Sequence, residues 1–330
     1  MHTRQLGQSA LEITPIGLGA WAIGGAWRFG WGPQDDADSI ATIRRAVELG
    51  INWIDTAPAY GLGRSESVIG QALRDIPAGD RPYVFTKCSL VWDEQGTVTH
   101  SLRPASIRRE CEASLTRLGV DRIDLYQVHW PKWAAAPAGH DAGRLEEAWQ
   151  TMDDLRREGK IWHLGASNFD VGHLSLVHAI SPVTSLQPPY SILRRDVEEH
   201  ELPWCRTHDV GVLVYSPMQS GLLSGKMTRD RVASLPADDW RRDAPWFKEP
   251  NLTRALTVVN VLGDIGARYR RTAAEVAIAW TLHNPGVTGA IVGARRADQV
   301  DEFSRAPDVK LDGSDLARID DALAHPRPAG

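Results

Sequence analysis

The sequence contains little cysteine and no long apolar run. Its 330 residues include only three cysteines, Cys88, Cys111 and Cys205. An odd count without CxxC spacing argues against a disulfide scaffold and a structural zinc site, and it is typical of a reducing compartment. No stretch of about 18 apolar residues is present, so we expect no membrane span. The N-terminus lacks the apolar run of a signal peptide, and we therefore expect a cytoplasmic protein.

The sequence also lacks an excess of positive charge. Its formal net charge is −5, which argues against nucleic-acid binding as its main task. The hydrophobic fraction of 42% and the charged fraction of 24% are ordinary for a globular protein of this length, which can bury a large core without disulfides or metals. Tryptophan is abundant, with 13 residues, several of them in predicted loops, where indoles often line binding sites.

Short apolar runs alternate with amphipathic helical stretches along almost the whole chain. Within residues 36–49, for example, Ile40, Ile43, Ala46 and Val47 share one face at helical spacing. The predicted strands are residues 16–20, 52–55, 83–87, 124–129, 163–167, 185–187, 211–215 and 290–292. The predicted helices are residues 36–49, 65–73, 104–118, 144–157, 170–178, 196–208, 252–269, 272–283 and 297–303.

Eight strand–helix units predict an α/β protein built as a closed parallel (β/α)8 TIM barrel. An open doubly wound sheet uses the same local pattern and is the alternative. Residues 4–6 and 11–13, joined by a turn at 7–9, predict an N-terminal β-hairpin before the barrel, and we expect extra helices toward the C-terminus. No linker or low-complexity tract is evident, so we expect residues 1–330 to form a single domain.

Polar residues stand at the C-terminal ends of three consecutive predicted strands. Asp55 ends the second strand, Tyr60 lies in the loop after it, Lys87 ends the third strand and His129 ends the fourth. In a (β/α)8 barrel these positions share the mouth where active sites lie. Each residue alone also has a structural explanation: a helix cap, packing in a loop, a solvated lysine or a core histidine. Their joint occurrence on neighbouring units favours a catalytic group.

The four residue types fit the reduction of a carbonyl. A tyrosine hydroxyl has an ordinary pKa of about 10, and it is a slow acid at neutral pH unless a nearby cation stabilises the phenolate. Lys87 would supply that cation, and Asp55 would hold Lys87 in place and charged. His129 would orient the carbonyl oxygen by a hydrogen bond. We therefore predict that Tyr60 protonates the alkoxide formed when hydride reaches a carbonyl carbon.

The segment around Asp55 and Tyr60 resembles a known family. Residues 50–61, GINWIDTAPAYG, resemble the aldo-keto reductase signature. Residues 125–130, LYQVHW, resemble the family's fourth-strand signature, and residues 85–87 match its lysine strand. The resemblance extends from Leu6 to about Phe303. It implies an NADP-dependent oxidoreductase that reversibly reduces an aldehyde or ketone to an alcohol, with Tyr60 as general acid and no metal.

The family binds its nicotinamide cofactor across the barrel mouth, without a Rossmann domain. Residues 17–22, GLGAWA, fit a relaxed G-x-G-x-x-A pattern, but no helix opens directly after them, so we do not interpret them as a dinucleotide fingerprint. The resemblance implies that Ser167, Asn168 and Gln187 bind the nicotinamide carboxamide. It also implies that Tyr215 stacks under the nicotinamide ring.

Two further segments resemble the family's phosphate-binding loops. We expect residues 216–250 to be an insertion that clamps the cofactor, with these residues near the pyrophosphate: Ser216, Met218, Gly221 and Lys226. The adenosine-phosphate site is expected at Gly293, Arg295, Arg296, Gln299 and Glu302. Because an arginine suits a 2′-phosphate, we expect NADPH/NADP+ as the cofactor, with NADH as the second candidate. Phe303 departs from the family, which often has asparagine there.

The substrate pocket is expected to be aromatic. Trp21, Trp92 and Trp130 follow the first, third and fourth strands and are predicted to line it, with Trp27, Trp31 and Trp133 as further candidates. Such a pocket suits a small planar or apolar carbonyl compound, and it would equally stack a sugar ring. Two other functions stay open: a nicotinamide-binding regulatory subunit with little turnover, and a Schiff-base lyase that uses Lys87.

Overall fold

Parallel strands close into a barrel, as the sequence predicts. The computed structural model describes residues 1–27, 30–134, 136 and 140–325. The strands are β1 (Arg4–Gln5), β2 (Glu12–Ile13), β3 (Ile16–Gly19), β4 (Trp53–Asp55), β5 (Tyr83–Cys88), β6 (Leu90–Trp92), β7 (Val98–His100), β8 (Ile123–Val128), β9 (Ile161–Ser167), β10 (Ser185–Gln187), β11 (Gly211–Val214) and β12 (Gly289–Gly293). The barrel contains β3, β4, β5, β8, β9, β10, β11 and β12, in chain order around the ring.

Helices connect the barrel strands. They are α1 (Asp36–Glu48), α2 (Arg64–Arg74), α3 (Pro104–Leu118), α4 (Leu145–Arg157), α5 (Val171–His178), α6 (Glu201–Thr207), α7 (Arg229–Ala233), α8 (Asn251–Tyr269), α9 (Ala273–His283), α10 (Ala297–Phe303) and α11 (Gly313–Ala324). Helix α11, which the sequence did not place, packs against α8. Among the described residues, we find no helix that combines the length and the apolarity needed to cross a membrane.

An N-terminal hairpin, β1 paired with β2, lies beneath the barrel. Its apolar residues Leu6, Leu11 and Ile13 are fully buried and share one core cluster with inward-facing barrel residues, including Trp53 and Phe85. This burial excludes water from the N-terminal end of the barrel. The opposite end, where the strands finish, is therefore left as the place for a site.

Gly17 lies inside the barrel against the indole of Trp53. A Cβ at Gly17 would lie 2.2 Å from Trp53 Cε2, far inside van der Waals contact. The glycine therefore leaves room for the largest fully buried side chain of the barrel floor. Packing therefore explains a glycine at this position of the G-x-G-x-x-A pattern. In a dinucleotide-binding fold a helix would begin directly after the pattern, whereas here the next α-helix, α1, begins at Asp36.

Three local predictions were incomplete. A hairpin of β6 and β7 follows β5, where we predicted no strands. The predicted helix 196–208 is wrong as one element: a 3-10 turn at Asp196–Glu198 precedes α6, because Pro203 has no N–H to continue a longer helix and fits only a first turn. The predicted loop 216–250 contains α7 and three 3-10 turns.

Candidate active site

The barrel interior changes from apolar to polar toward the C-terminal ends of its strands. Side chains of a strand alternate between its two faces, so residues two apart point the same way. Each of the inward residues Trp53, Phe85 and Leu125 is therefore followed, two positions later, by a polar residue at the mouth: Asp55, Lys87 and Gln127 respectively. All three polar side chains are buried, with exposures of 3%, 0% and 0%.

Lys87 and Asp55 form a buried ion pair. Lys87 Nζ lies 2.6 Å from Asp55 Oδ1 and also donates to the backbone oxygen of Thr56 at 2.9 Å. Burial lowers the pKa of Lys87, while the carboxylate of Asp55 opposes that shift. Because Asp55 compensates the buried ammonium, removal of either partner would leave an unpaired charge in the barrel.

Tyr60 completes a chain of contacts with this pair. Lys87 Nζ donates to Tyr60 Oη at 3.4 Å, and it lies 5.2 Å from the centre of the Tyr60 ring. Burial raises the pKa of Tyr60 well above its ordinary value, and the nearby Asp55 carboxylate raises it further. The sequence led us to expect that Lys87 lowers this pKa; in the protein alone, desolvation of the phenolate is the largest influence, and it raises the pKa. At neutral pH the phenol is thus protonated.

His129 stands on the other side of Tyr60. The two rings meet edge to face, with centroids 5.9 Å apart. Burial lowers the pKa of His129 well below its ordinary value, and the charge on Lys87 lowers it further. The imidazole is therefore neutral at physiological pH. The indole of Trp130 lies nearly parallel to it at 6.4 Å.

Gln127 belongs to this group, although sequence reasoning did not select it. Its Nε2 donates to Asp55 Oδ2 at 3.2 Å, on the side of the carboxylate away from Lys87. The signal was present in the sequence, since Gln127 is a polar residue inside an otherwise apolar strand, two positions before His129.

The predicted nicotinamide residues adjoin the predicted catalytic group in one hydrogen-bond network. Ser167 Oγ donates to the backbone oxygen of Gln187 at 3.0 Å, and Asn168 Nδ2 donates to Ser167 Oγ at 3.1 Å and to the backbone oxygen of His129 at 3.0 Å. Tyr215 Oη donates to Asn168 Oδ1 at 2.8 Å. Burial raises the pKa of Tyr215 to about 12. The network thus fixes these side chains beside His129.

These residues fit a carboxamide. The oxygens of Ser167, Asn168 and Gln187 each retain lone-pair capacity beyond their contacts in the protein, and they lie around the same part of the mouth. An amino group with two N–H donors, such as that of nicotinamide, matches such a set of acceptors. The structure therefore brings together the four residues predicted for this part of the cofactor: Ser167, Asn168, Gln187 and Tyr215.

The segment after β11 begins in an unusual backbone conformation. Ser216, Gln219 and Ser220 have positive φ angles of 57°, 46° and 56°, and Gly221 has 87°. Left-handed backbone at non-glycine residues is costly and is concentrated at ligand-binding sites. Met218, by contrast, is half-buried and packs on the helical core.

Two of the predicted phosphate-site cations, Lys226 and Arg296, already pair with carboxylates of α10. Lys226 Nζ contacts both carboxylate oxygens of Glu302, at 2.7 and 2.6 Å. Arg296 pairs with Asp298, at 3.0 and 2.9 Å. The Lys226–Glu302 pair joins the loop after β11 to α10, so two segments predicted for different phosphates lie next to each other.

Arg295 differs from these pairs because its described partners are neutral. Its guanidinium donates to Gln34 Oε1 at 2.8 Å and to the backbone oxygen of Trp31 at 3.1 Å. Gln299 Oε1 accepts the N–H of Arg295 at 2.7 Å and so fixes the loop that begins at the exposed Gly293. Phe303 is buried in the core.

The predicted pocket tryptophans divide into two groups. Trp130 lies at His129, with the ring of Trp133 at 5.7 Å, and Trp27 lies 6.2 Å from the ring of Tyr60. Trp21 lies 6.0 Å from Trp31 and 5.8 Å from Trp240, which belongs to the insertion after β11. The structure does not bring Trp92 to either group, since its ring lies 6.0 Å from the guanidinium of Arg117 on α3.

The fold and the mouth define a class of protein: a (β/α)8 barrel with a buried Asp–Lys–Tyr chain of contacts at its mouth. The chain belongs to the Aldo/keto reductase family, whose sequence profile matches residues 15–324. It is 37% identical over 324 residues to the aldo-keto reductase YhdN of Bacillus subtilis, covering 98% of this chain and 94% of that protein.

Two other relatives support this membership. The chain is 36% identical over 321 residues to the NADH-specific methylglyoxal reductase of Escherichia coli, with 94% of each chain covered. Among solved structures, a glycerol dehydrogenase from Gluconobacter oxydans matches with a TM-score of 0.87 and 35% identity, over 99% of this chain and 97% of that one. The barrel and the family predicted from the sequence are therefore confirmed.

Proposed function

We propose that the protein is an NADPH-dependent reductase that reversibly converts an aldehyde or ketone into an alcohol, with Tyr60 as the general acid. The observation that supports this most strongly is the buried contact chain from Asp55 through Lys87 to Tyr60, with links of 2.6 and 3.4 Å. A protonated phenol held against a buried ammonium is suited to give a proton to a developing alkoxide.

Each member of the group has a separate task in this proposal. Tyr60 releases the proton, and the N–H of Lys87 stabilises the phenolate that forms. Asp55 keeps Lys87 charged and in place. The neutral imidazole of His129 donates a hydrogen bond that orients the carbonyl oxygen, a type of contribution typically worth about 10²–10⁴-fold in rate. No metal takes part.

The cofactor would be held at the mouth by the residues of the network described above. The oxygens of Ser167, Asn168 and Gln187 would bind its carboxamide, and the ring of Tyr215 would stack on the nicotinamide. When bound, the reduced nicotinamide supplies the hydride. Stacking on Tyr215 would fix which face of that ring is turned toward the substrate.

In this proposal, the residues at the adenosine end of the cofactor site favour NADPH over NADH. Arg295 carries a positive charge that its neutral partners, Gln34 and the Trp31 carbonyl, do not cancel, so it suits a 2′-phosphate. The Escherichia coli relative named for NADH specificity makes NADH the alternative to test. We expect Arg295→Gln to lower the ratio of kcat/KM for NADPH to that for NADH by about tenfold or more. An unchanged ratio would reject this assignment.

The insertion 216–250 would close over the cofactor. It contributes the left-handed turn at Ser216, the Lys226–Glu302 pair and Trp240, which contacts Trp21 across the mouth. We propose that residues 1–330 act as one domain with this clamp.

The three buried free thiols, Cys88, Cys111 and Cys205, support the proposal of a cytoplasmic location. The substrate pocket would be lined by Trp21 and Trp130, and the position of Trp92 gives it no part.

A turnover assay separates an enzyme from a regulatory subunit. The protein is mixed with NADPH or NADH and a panel of aldehydes, ketones and sugars, and oxidation of the reduced cofactor is followed. We expect steady oxidation with at least one small carbonyl compound. Tight cofactor binding without turnover on any panel member would favour the regulatory subunit.

The Schiff-base function is disfavoured because the amine of Lys87 is fully buried and bound to Asp55.

A further inference from the structure

Two buried amides join the second oxygen of Asp55 to the nicotinamide site. Gln187 Nε2 donates to Asp55 Oδ2 at 2.7 Å and to Gln127 Oε1 at 3.0 Å. Gln127 Nε2 donates to the same carboxylate oxygen at 3.2 Å. The three side chains are 0–3% exposed, so they form a closed triangle of hydrogen bonds inside the barrel.

The triangle determines which way the amide of Gln187 faces. A carboxylate only accepts hydrogen bonds, so the Gln187 atom next to Asp55 is the nitrogen. Both N–H groups of that nitrogen are used, one by Asp55 and one by Gln127. Within the described part of the chain, no side chain or backbone group donates to Gln187 Oε1. That oxygen is therefore left for a donor that enters the mouth.

We propose that Gln127 is a positioning residue that couples cofactor binding to the proton relay. It accepts one N–H of Gln187, which keeps Gln187 Oε1 turned toward the carboxamide. It also donates to Asp55, which keeps the carboxylate under Lys87. This inference rests on the proposed contact between Gln187 and the nicotinamide. Gln127 itself touches neither cofactor nor substrate.

Removal of Gln127's polar atoms leaves two buried groups short of a partner. One N–H of Gln187 loses its acceptor and Asp55 loses a donor, and a buried polar group without its partner is costly. Gln187 can then turn to recover a partner, at the expense of its contact with the cofactor. We expect NADP+ to bind about tenfold more weakly to Gln127→Met, whose side chain is of similar size.

The test is a double-mutant cycle on cofactor binding, read by quenching of tryptophan fluorescence on titration with NADP+. Wild type, Gln127→Met, Gln187→Met and the double variant are compared. If Gln127 acts through Gln187, its substitution weakens binding in the wild type and has little further effect in the Gln187→Met background. Equal binding by wild type and Gln127→Met, or effects of the two substitutions that simply multiply, would overturn the proposal.

Tyr126→Phe is the matched control. Tyr126 is the neighbouring residue of the same strand and is equally buried, but it belongs to the cluster between barrel and helices. Loss of its hydroxyl tests whether any buried change in β8 weakens binding. We expect NADP+ affinity to be unchanged in this variant. A loss as large as that of Gln127→Met would make the effect structural and would contradict the proposal.

A second variant covers the case in which Gln127→Met does not fold. In Gln127→Glu the new carboxyl, when protonated, can donate to Asp55 and accept from Gln187, whereas its ionised form repels Asp55. The charged groups that face this position are Asp55 and Lys87, with Tyr60 beyond them. We expect near-normal NADP+ affinity at low pH and a growing deficit relative to wild type as pH rises. An affinity deficit as large at low pH as at high pH would reject the proposal.

The outcomes for the two proposals are distinguishable. If wild type binds neither NADP(H) nor NAD(H), the proposed function and this inference both fail. If wild type binds and turns over while Gln127→Met binds equally well, only the role of Gln127 fails.

Discussion

Burial controls the protonation states of the mouth residues, and it acts in opposite directions on acids and bases. It raises the pKa of Tyr60 and lowers those of Lys87 and His129, because the charged form of each is disfavoured away from water. The carboxylate of Asp55 adds to the rise in the pKa of Tyr60 and opposes the fall in the pKa of Lys87. The result is a protonated phenol next to a neutral imidazole, which suits the reduction direction of the proposed reaction.

The neutrality of His129 leads to a prediction. Because burial and the charge on Lys87 hold the pKa of His129 well below its ordinary value, we expect its imidazole to stay uncharged through the pH range in which an ordinary histidine titrates. Nitrogen NMR shifts of the ring measure this directly, and His129→Asn assigns the signals. A titration midpoint near the ordinary value would show that burial and Lys87 do not act as described.

The sequence predicted which side chains meet at the mouth better than it predicted their surroundings. The meeting of Asp55, Tyr60, Lys87 and His129 could be predicted because strand ends of a barrel converge at one mouth, so positions far apart in the chain come together. The role of Gln127 could not be found in this way, since it depends on which side chains meet across the barrel. The direction in which the pKa of Tyr60 shifts could not be predicted either, because the depth of burial is a property of the fold.

At the scale of single elements, β3 shows how a motif can mislead. Its two glycines match part of a dinucleotide fingerprint, but Gly17 faces the indole of Trp53. We predict that Gly17→Ala lowers the free energy of unfolding by about 1–3 kcal/mol through overpacking, measured by urea denaturation. The folded variant should bind NADP+ normally, and Trp53→Phe should reduce the cost of the substitution. Lost binding with full stability would support the fingerprint instead.

The insertion 216–250 was predicted as a loop and is more structured than that. Its helix α7 and short turns escaped prediction because each is only three to five residues long, too short to show a periodic pattern. Two contacts connect it with the loop after β3: Trp240 lies 5.8 Å from Trp21, and the guanidinium of Arg241 lies 4.5 Å from the ring of Trp31.

These contacts predict a kinetic effect. If the insertion clamps the cofactor, Trp240→Ala removes one aromatic contact that holds it closed, and NADP+ should dissociate about 2–10-fold faster. Stopped-flow fluorescence measures that rate. Trp246→Ala is the control, because Trp246 lies in the same insertion but packs on the helical core. Unchanged dissociation from Trp240→Ala, or an equal change in both variants, would argue against the clamp.

At the scale of the whole molecule, one buried acid links stability to pH. Glu110 on α3 accepts the N–H of Ser89 at 2.8 Å, just after β5, and the hydroxyl of Ser106 at 2.9 Å. Burial raises the pKa of Glu110 from 4.5 to about 7. The folded protein therefore holds this proton more tightly than the unfolded chain. The stabilisation from Glu110 is complete below pH 4.5 and is lost as pH rises through 7.

Glu110→Gln should remove this pH dependence while keeping both hydrogen bonds. We expect the free energy of unfolding of wild type, relative to that of Glu110→Gln, to fall by about 3 kcal/mol between pH 4.5 and pH 8. Urea denaturation of both proteins at several pH values measures the difference. Parallel pH dependence in the two proteins would contradict it.

The overall architecture could be predicted because it depends on a count. Eight strand–helix units in 330 residues suit a closed barrel, and each unit is visible through its own periodicity. The hairpin of β6 and β7 and the final helix α11 add no unit to that count. The place of α11 depends on its packing against α8, and that of the hairpin depends on the chemistry of the loop after β5. Local sequence patterns reveal neither.

The central claim is that Tyr60 supplies the proton, and Tyr60→Phe tests it most directly. The substitution removes one hydroxyl and leaves the ring between Trp27 and His129. In single-turnover reduction of a carbonyl compound by bound NADPH, the account predicts a rate lower by at least about 100-fold, with unchanged affinity for NADPH. Reduction by this variant at a rate near that of the wild type would contradict the account.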